Sequence, residues 1–399
     1  SEVSNQLGSQ LTYLRQANLG GSGGFSRGMF ETVKAGKSDY TLLLDDDAIS
    51  EPESILRAVH FADYTVRSAL VGGGMFHIDH RTVLHVQGER FDASSMWMYP
   101  SRGAEFNHDF RSEPLADSPS LHSMQFSDFN GWWFCLIPTE TIRTIGLGLP
   151  VFIKFDDIEY GLRAKEHGVP TISLPGVAVW HMGWHDKDPA RGWEEYFTQR
   201  NRWICALLHF PNAAKHSAFR MLYEEAHLGM RLLYSGMKLN HMALSDVLLG
   251  PSHLIDSLPT KLNEVRKARE GFDDSTTYAD PLELPADHFQ RNWAPRPAST
   301  VTKMGMQAVL KALRSRGTGK SDKSPQVSIP ARFSIWPAFL GVNSAIVTTP
   351  DGDSVSWFRR DSKLYRRNML QCFRLTCKLM KNWKRLSREY REYGIAAME

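Results

Sequence analysis

The chain has 399 residues, 42% hydrophobic and 23% charged, with a formal net charge of +3. That length holds two or three domains with ample core, and so even a charge balance excludes a protein that binds nucleic acid or acidic substrates through bulk charge. Its four cysteines, none in a CxxC pair, exclude a disulfide scaffold and favour a reducing, cytoplasmic setting. No run of 18 apolar residues marks a transmembrane span, and no secretory signal opens the sequence.

Residues 5–16 mix polar and apolar side chains and read as a helix or a strand approach. Asn18-Leu19-Gly20-Gly21-Ser22-Gly23-Gly24 reads as a loop, since glycine permits positive φ and close backbone approach; a helix over Phe25–Lys34 follows. The apolar, β-prone run Tyr40–Leu44 predicts a buried parallel strand, with Asp45-Asp46-Asp47 directly behind it. A helix over 53–65 comes next, then a strand at Val71-Gly72-Gly73-Gly74-Met75. Residues 76–125 are loop-rich, with a short strand at Thr82–Val86. Residues 139–147 form a short helix. Ile153-Lys154-Phe155-Asp156-Asp157 leads into a helix, Ile158–His167, and Thr171–Trp180 is a strand ending in His181. From 190 to about 260 the pattern is helical, including Glu194–Leu208 and Ala218–Leu233. Residues 265–300 are irregular, 314–328 form a flexible basic loop, and Arg359–Tyr393 forms a long helix. Strands alternating with helices, and then helices alone, imply an α/β domain followed by a mostly α-helical one. There is no internal repeat.

Chemistry gathers at the strand ends, where α/β folds place their ligands. Asp45 and Asp47 lie two apart, so an extended backbone sends both side chains to one side. Carboxylates held together there repel one another unless a cation sits among them, and Mg²⁺ typically shares one or two carboxylates with substrate phosphates. The competing reading is an acidic turn before the helix start at Ser50-Glu51-Pro52-Glu53. His181 either completes such a site with one nitrogen or is structural. Asp156-Asp157 opens a helix, where carboxylates suit the helix dipole; alternatively, one of them acts as general base on an acceptor hydroxyl while a metal neutralises a leaving diphosphate. Trp132 and Trp133 are adjacent, so from a strand they cannot both face one core. One is expected in a cleft, where a flat ring suits the C–H faces of a sugar, with core packing at a sheet edge as the alternative. Trp97, Trp180, Trp184 and Trp193 add aromatic weight, and His85 and Glu89 are polar cleft candidates. The glycine cluster would let a nucleotide diphosphate approach the backbone, but it is not GxxxxGKS, which disfavours a P-loop.

Residues 359–391 carry twelve Lys/Arg against Asp361 and Glu389, leaving the remainder net acidic. The apolar residues among them are Leu364, Tyr365, Met369, Leu370, Phe373, Leu375, Leu379, Met380, Trp383 and Leu386. A basic amphipathic helix reads either as a membrane-surface element or as a packed helix with a solvated basic face. Nothing resembles a nucleic-acid recognition fold.

Together these segments resemble the inverting GT-A, family-2-type glycosyltransferases, and among them the galactofuranosyltransferases that polymerise mycobacterial-type cell-wall galactan. The resemblance rests on five segments in order: Asn18–Gly28, Asp45-Asp46-Asp47, Asn130-Gly131-Trp132-Trp133-Phe134, Phe152–Arg163 and Trp180-His181-Met182-Gly183-Trp184. It extends through Arg200-Asn201-Arg202 and returns around Gly341–Arg360. It implies a GT-A (Rossmann-like) domain over residues 1–190, incomplete at its N-terminus, and a helical domain over 191–399. It implies Asp45, Asp47 and His181 as ligands of Mn²⁺ or Mg²⁺, and Asp157 as the base that deprotonates the acceptor, with Asp156 positioning it. Asn18, Asp45 and Asp46 would contact the donor, and His85, Glu89, Trp132, Trp133, Asp156 and Trp184 the acceptor. The implied reaction moves galactofuranose from UDP-galactofuranose to a galactan acceptor linked to a polyprenyl diphosphate. The setting would be the inner face of the bacterial plasma membrane, and the chain a homo-oligomer. The sequence begins without Met, at what matches the strand and loop before the Phe25 helix, so a fragment lacking the first uridine-binding strands is expected. Other readings are a family-2 transferase for another nucleotide sugar and an inactive scaffold that binds glycan or membrane.

Overall fold

Apolar side chains at alternate positions on short strands, with helices between them, build an α/β layer in the first half of the chain. The computed structural model describes residues 2–183, 187–287 and 324–396. After a short helix α1 (Glu2–Leu7), the chain forms α2 (Gly20–Ala35), β1 (Tyr40–Leu43), β2 (Ile49–Ser50), α3 (Pro52–Tyr64) and β3 (Leu70–His77). An excursion then carries β4 (Val83–Val86), β5 (Glu89–Asp92), β6 (Trp97–Pro100), β7 (His108–Asp109) and β8 (Gln125–Ser127). The layer is completed by β9 (Cys135–Pro138), α4 (Thr139–Ile145), α5 (Asp156–Glu166) and β10 (Thr171–His181).

The sheet runs β1-β9-β3-β10-β2, with β4 on β3, β7 on β4, and β8 on β10. It is mixed. β3 and β10 pair in parallel, which sets His77 beside His181 at their ends, while β1 runs antiparallel to β9. This corrects the reading of residues 40–44 as a wholly buried parallel strand. Thr41 and Leu43 are buried, Tyr40 and Leu42 half-buried. One face packs Met29 of α2, Ile142 of α4 and Tyr160 of α5 over Leu43 and Ile137. The other packs Ala58 of α3 over Val71, Met75 and Leu136.

The second half is a helical assembly: α6 (Glu194–His209), α7 (Ala214–Met230), α8 (Tyr234–Leu249), α9 (Pro251–Asp256), α10 (Lys261–Arg269) and α11 (Ser362–Ala396). A small sheet not anticipated from the sequence joins it, in the order β11 (Val327–Ile329), β12 (Ser344–Thr348) and β13 (Val355–Arg359). Arg359 therefore lies on a strand, and α11 begins at Ser362. The apolar residues of α11 divide. Tyr365, Leu379, Trp383 and Leu386 are buried with α6, α7 and α8, whereas Leu370 and Phe373 are 49% and 52% exposed. The helix thus packs through one face as a core element and leaves a basic outer face exposed. Of the 265–300 stretch, the described part to residue 287 holds the end of α10 and two short 3-10 turns, Asp273–Ser275 and Pro281–Glu283; of the basic loop at 314–328, residues 324–328 are described and β11 begins at Val327. The rest of both lies outside the described residues.

The glycine segment is not a loop. Helix α2 starts at Gly20, and the Asn18 side chain accepts the Gly20 N–H at 3.1 Å. A Cβ on Gly20, whose φ is +73°, would lie 2.1 Å from the Phe152 carbonyl oxygen, and Ser22 N–H donates to that same carbonyl at 3.0 Å. Glycine is needed here because one backbone abuts another.

Candidate active site

The site begins where β1 runs out. Past Leu43 the chain turns, closed by an Ala48 N–H to Asp45 carbonyl bond of 3.2 Å, and returns as β2 alongside the end of β10. That return brings the acidic turn to His181. Its Nε2 stands 3.2 Å from Asp45 Oδ2 and 2.9 Å from Asp47 Oδ1. All three potential ligand atoms lie within 4.8 Å of one another.

The tautomer follows from the remaining contact. His181 Nδ1 is 2.8 Å from the Met182 carbonyl, which can only accept, so Nδ1 carries the proton. In the neutral ring, Nε2 then turns a bare lone pair toward two carboxylates, an arrangement favoured only when a proton or a cation lies between them. Burial by itself lowers the pKa of this imidazole, but the facing carboxylates of Asp45 and Asp47 outweigh it and raise it. Two carboxylate oxygens and one imidazole whose other nitrogen is anchored to a carbonyl form a donor set that fits a divalent cation. Asp46 is exposed.

The second corner is the N-terminus of α5. Before it, Phe152, Lys154 and Phe155 all have φ between +65° and +72°. A left-handed non-glycine residue costs of the order of 1–3 kcal/mol, so the surrounding structure must hold this turn. The turn delivers Asp156, which is buried, and Asp157, which is half-buried with its Oδ1 accepting the Ile158 N–H at 2.8 Å. Burial and mutual repulsion hold this carboxyl pair above the ordinary range, and the Asp45 charge pushes in the same direction. That shared influence ties the two corners into one electrostatic unit. Glu89 is buried as well, and burial together with the Asp157 charge pushes it up to about 8.

His85 belongs to a histidine group at the same strand ends. His77 Nε2 and His85 Nδ1 approach Asn107 Oδ1 at 2.9 and 3.2 Å, and His85 stacks on Phe106. Burial and the neighbouring His77 and His181 pull His85 down to about 4, so it is neutral at physiological pH. His77 and Asn107 were not foreseen from the sequence; the end of a glycine strand was the available signal.

Trp132 and Trp133 require a correction. They are 4% and 5% exposed, so neither presents a ring face to a cleft. Trp132 packs edge-on against Phe25 and Tyr160, and Trp133 donates its indole N–H to the Gly73 carbonyl at 2.9 Å. Two adjacent tryptophans are both buried because they follow Asn130-Gly131 in a turn rather than in a strand. A Cβ on Gly131 would lie 1.9 Å from the Trp133 ring. The expected contact at Trp184 lies outside the described residues.

Comparison with known proteins can now be set beside this geometry. Residues 1–206 match the sequence model described as Glycosyltransferase like family 2. The chain belongs to that family. Residues 220–396 match a second model, described as Galactofuranosyltransferase-2, domain 3. The chain is 36% identical over 397 residues to Galactofuranosyltransferase GlfT2 of Mycobacterium tuberculosis, covering 97% of this chain and 62% of that protein. For Galactofuranosyltransferase GlfT2 of Mycolicibacterium smegmatis the identity is 34% over 400 residues, with coverages of 98% and 62%. Galactofuranosyltransferase GlfT1 of Mycobacterium tuberculosis is 27% identical over 205 residues, 48% of this chain. The chain spans 62% of the length of the two GlfT2 relatives. The α/β fold with a helical C-terminal region agrees with the family assignment, and the carboxylate–imidazole cluster lies within the family-2 match.

Proposed function

We propose that this chain carries the catalytic machinery of a metal-dependent, inverting galactofuranosyltransferase. The observation that carries this reading is the tautomer-locked His181, with Nε2 aimed at Asp45 and Asp47 beside a buried pair of aspartates. The names of the relatives narrow the sugar to galactofuranose. Asp45, Asp47 and His181 would hold Mn²⁺ or Mg²⁺, which supplies neutralisation of the leaving diphosphate.

Asp157 takes the proton of the acceptor hydroxyl. As it does so, the acceptor oxygen forms a bond to the anomeric carbon of UDP-galactofuranose. The bond from that carbon to the diphosphate oxygen breaks, its electron pair leaves with UDP, and the anomeric configuration inverts. A carboxyl group held above its ordinary range suits this role, because general bases work best near the ambient pH. Asp156 and His85 orient the acceptor, and Asn18 lies on the donor side.

The acceptor is a galactan carried on a polyprenyl diphosphate, which calls for adhesion to a membrane surface. Among the described residues no helix is long and apolar enough to cross a membrane. The outer face of α11 supports adhesion instead. Lys363, Arg366, Arg367, Arg374, Lys378, Lys381 and Lys384 are exposed around Leu370 and Phe373, and Phe219 of the neighbouring α7 is 72% exposed. Each Lys or Arg near an anionic surface contributes about 1 kcal/mol. Sedimentation with anionic vesicles should be strong at low salt and lost when Arg366, Arg367, Lys378, Lys381 and Lys384 become Glu. Unchanged sedimentation would remove the membrane reading.

The function is tested by mixing the chain with Mn²⁺, UDP-galactofuranose and a synthetic galactofuranose disaccharide, with other nucleotide sugars as competitors. Transfer of galactofuranose in preference to the competitors supports the reading. Preference for another donor would redirect it to a different family-2 specificity. Mn²⁺ binding without any transfer would favour a glycan- or membrane-binding scaffold.

A further inference from the structure

The left-handed turn before Asp156 and Asp157 needs something to hold it, and the side chain best placed to do so is Asn201 of α6. Its Nδ2 lies 3.0 Å from the Val151 carbonyl, 2.7 Å from that of Ile153 and 2.9 Å from that of Lys154. A primary amide has two N–H groups, so three carbonyls share them and the turn is gathered onto one atom. The orientation of the amide is fixed by its neighbour. Arg200 Nε–H donates to Asn201 Oδ1 at 2.9 Å, which leaves only the Nδ2 end facing the carbonyls. Arg200 adds a bond of its own to the Val151 carbonyl at 2.8 Å, and its guanidinium lies over the Tyr196 and Phe197 rings. Asn201 and Arg200 are 1% and 2% exposed. From the opposite side, α2 closes on the same turn through the Ser22 N–H to Phe152 carbonyl bond, and Phe197 stacks on Phe152 at 4.7 Å.

We propose that Asn201 is a positioning residue: with its amide oriented by Arg200, it clamps the left-handed 152–155 turn and so fixes where Asp156 and Asp157 stand. The consequence for catalysis rests on Asp157 being the base, as proposed above; the clamp itself does not. Asn201 touches neither aspartate. Its effect passes through three backbone carbonyls to the start of α5, so its removal should loosen that corner and spare the cation corner at Asp45, Asp47 and His181.

The test is amide hydrogen exchange, read by mass spectrometry on the full chain, for Asn201→Ala against the unaltered protein. Exchange in peptides spanning 151–158 should accelerate by roughly tenfold or more, the range over which a locally opened segment separates from its core. Peptides from α8 and α11 and the Mn²⁺ affinity should be unchanged. Lys154→Gly trades the steric cost of a left-handed residue against the greater freedom of glycine in the unfolded chain, so by itself it should move the thermal midpoint by no more than about 1–2 °C. Combined with Asn201→Ala, it should restore part of the lost protection. In turnover, kcat should fall while KM for the nucleotide sugar holds. Exchange at 151–158 that matches the unaltered chain would overturn the proposal, as would acceleration spread equally through α8 and α11. Should Asn201→Ala fail to fold, Asn201→Ser, which keeps a single donor, is read in the same way, and exchange at 151–158 equal to that of the unaltered chain would overturn the proposal. Because exchange is read without turnover, an absence of sugar transfer bears only on the function and leaves the result on the clamp standing.

Discussion

The cation corner and the aspartate corner of this site are built in opposite ways. At the first, Asp45 and Asp47 are one-third and nearly one-half exposed, on a short turn, and a single imidazole faces two carboxylates. This corner is left for a ligand to complete. At the second, Asp156 is buried at the head of a helix and three left-handed residues precede it; a helix start on one side and the α6 side chains on the other grip the turn. This corner is complete before anything binds. The difference suits the proposed reaction, in which a metal and its diphosphate would arrive and leave in every cycle while the base would stand in one place each time; a displacement as small as 1 Å can cost about a hundredfold in rate.

The comparison can be broken most sharply at the proposed base. Asp157→Asn keeps the shape of the side chain and removes its basicity, so transfer should drop by about 10²–10⁴-fold. Mn²⁺ affinity, measured by calorimetry, should move little. At the other corner, His181→Ala should abolish detectable Mn²⁺ binding, and the rise in thermal midpoint that Mn²⁺ gives the unaltered chain should vanish with it. If His181→Ala still binds the ion with the same affinity, the donor set has been misread. A smaller effect is expected at Glu89. Its folded-state pKa is raised to about 8, so this carboxyl contributes stability at low pH that is lost as pH climbs from the ordinary carboxylate range through 8. Glu89→Gln should therefore melt higher than the unaltered chain at pH 8–9, and the gap should close toward pH 4. A gap that widened toward acid would contradict the environment assigned to Glu89. Smallest of all, Asp46→Asn at the exposed middle of the triplet should leave stability unchanged within about 0.5 kcal/mol.

How far the sequence announces this arrangement depends on what kind of force fixes each part. The acidic triplet, the paired aspartates and His181 were legible because strand ends converge and charges at strand ends demand a reason. The frame of α3, β3, α5, α6 and β10 was legible through period and turn residues. Three features were not, each for a reason of packing. Whether Trp132 and Trp133 face a cleft depends on the Asn130-Gly131 turn and on the glycine strand that receives Trp133. Whether the Asn18–Gly24 segment is a loop or a helix start depends on a carbonyl more than 120 residues away. The small sheet β11-β12-β13 lies mostly between the basic loop and the long helix, in a stretch given no secondary structure from the sequence, although Ser344–Thr348 and Val355–Arg359 carry β-branched and aromatic residues that could have signalled it. The basic helix was legible as a helix. Which of its faces is buried was settled by contacts such as Tyr365 with the Ala226 carbonyl and Ser387 with that of Leu207.

The central claim is that one corner holds a cation and the other takes a proton, and a single paired measurement addresses both. Galactofuranose transfer and Mn²⁺ binding would be recorded side by side for the unaltered chain, Asp157→Asn and His181→Ala. The account predicts transfer and binding in the first, binding with transfer reduced by at least about 10²-fold in the second, and neither in the third. Transfer that persists in Asp157→Asn, or Mn²⁺ binding that persists in His181→Ala, would contradict it.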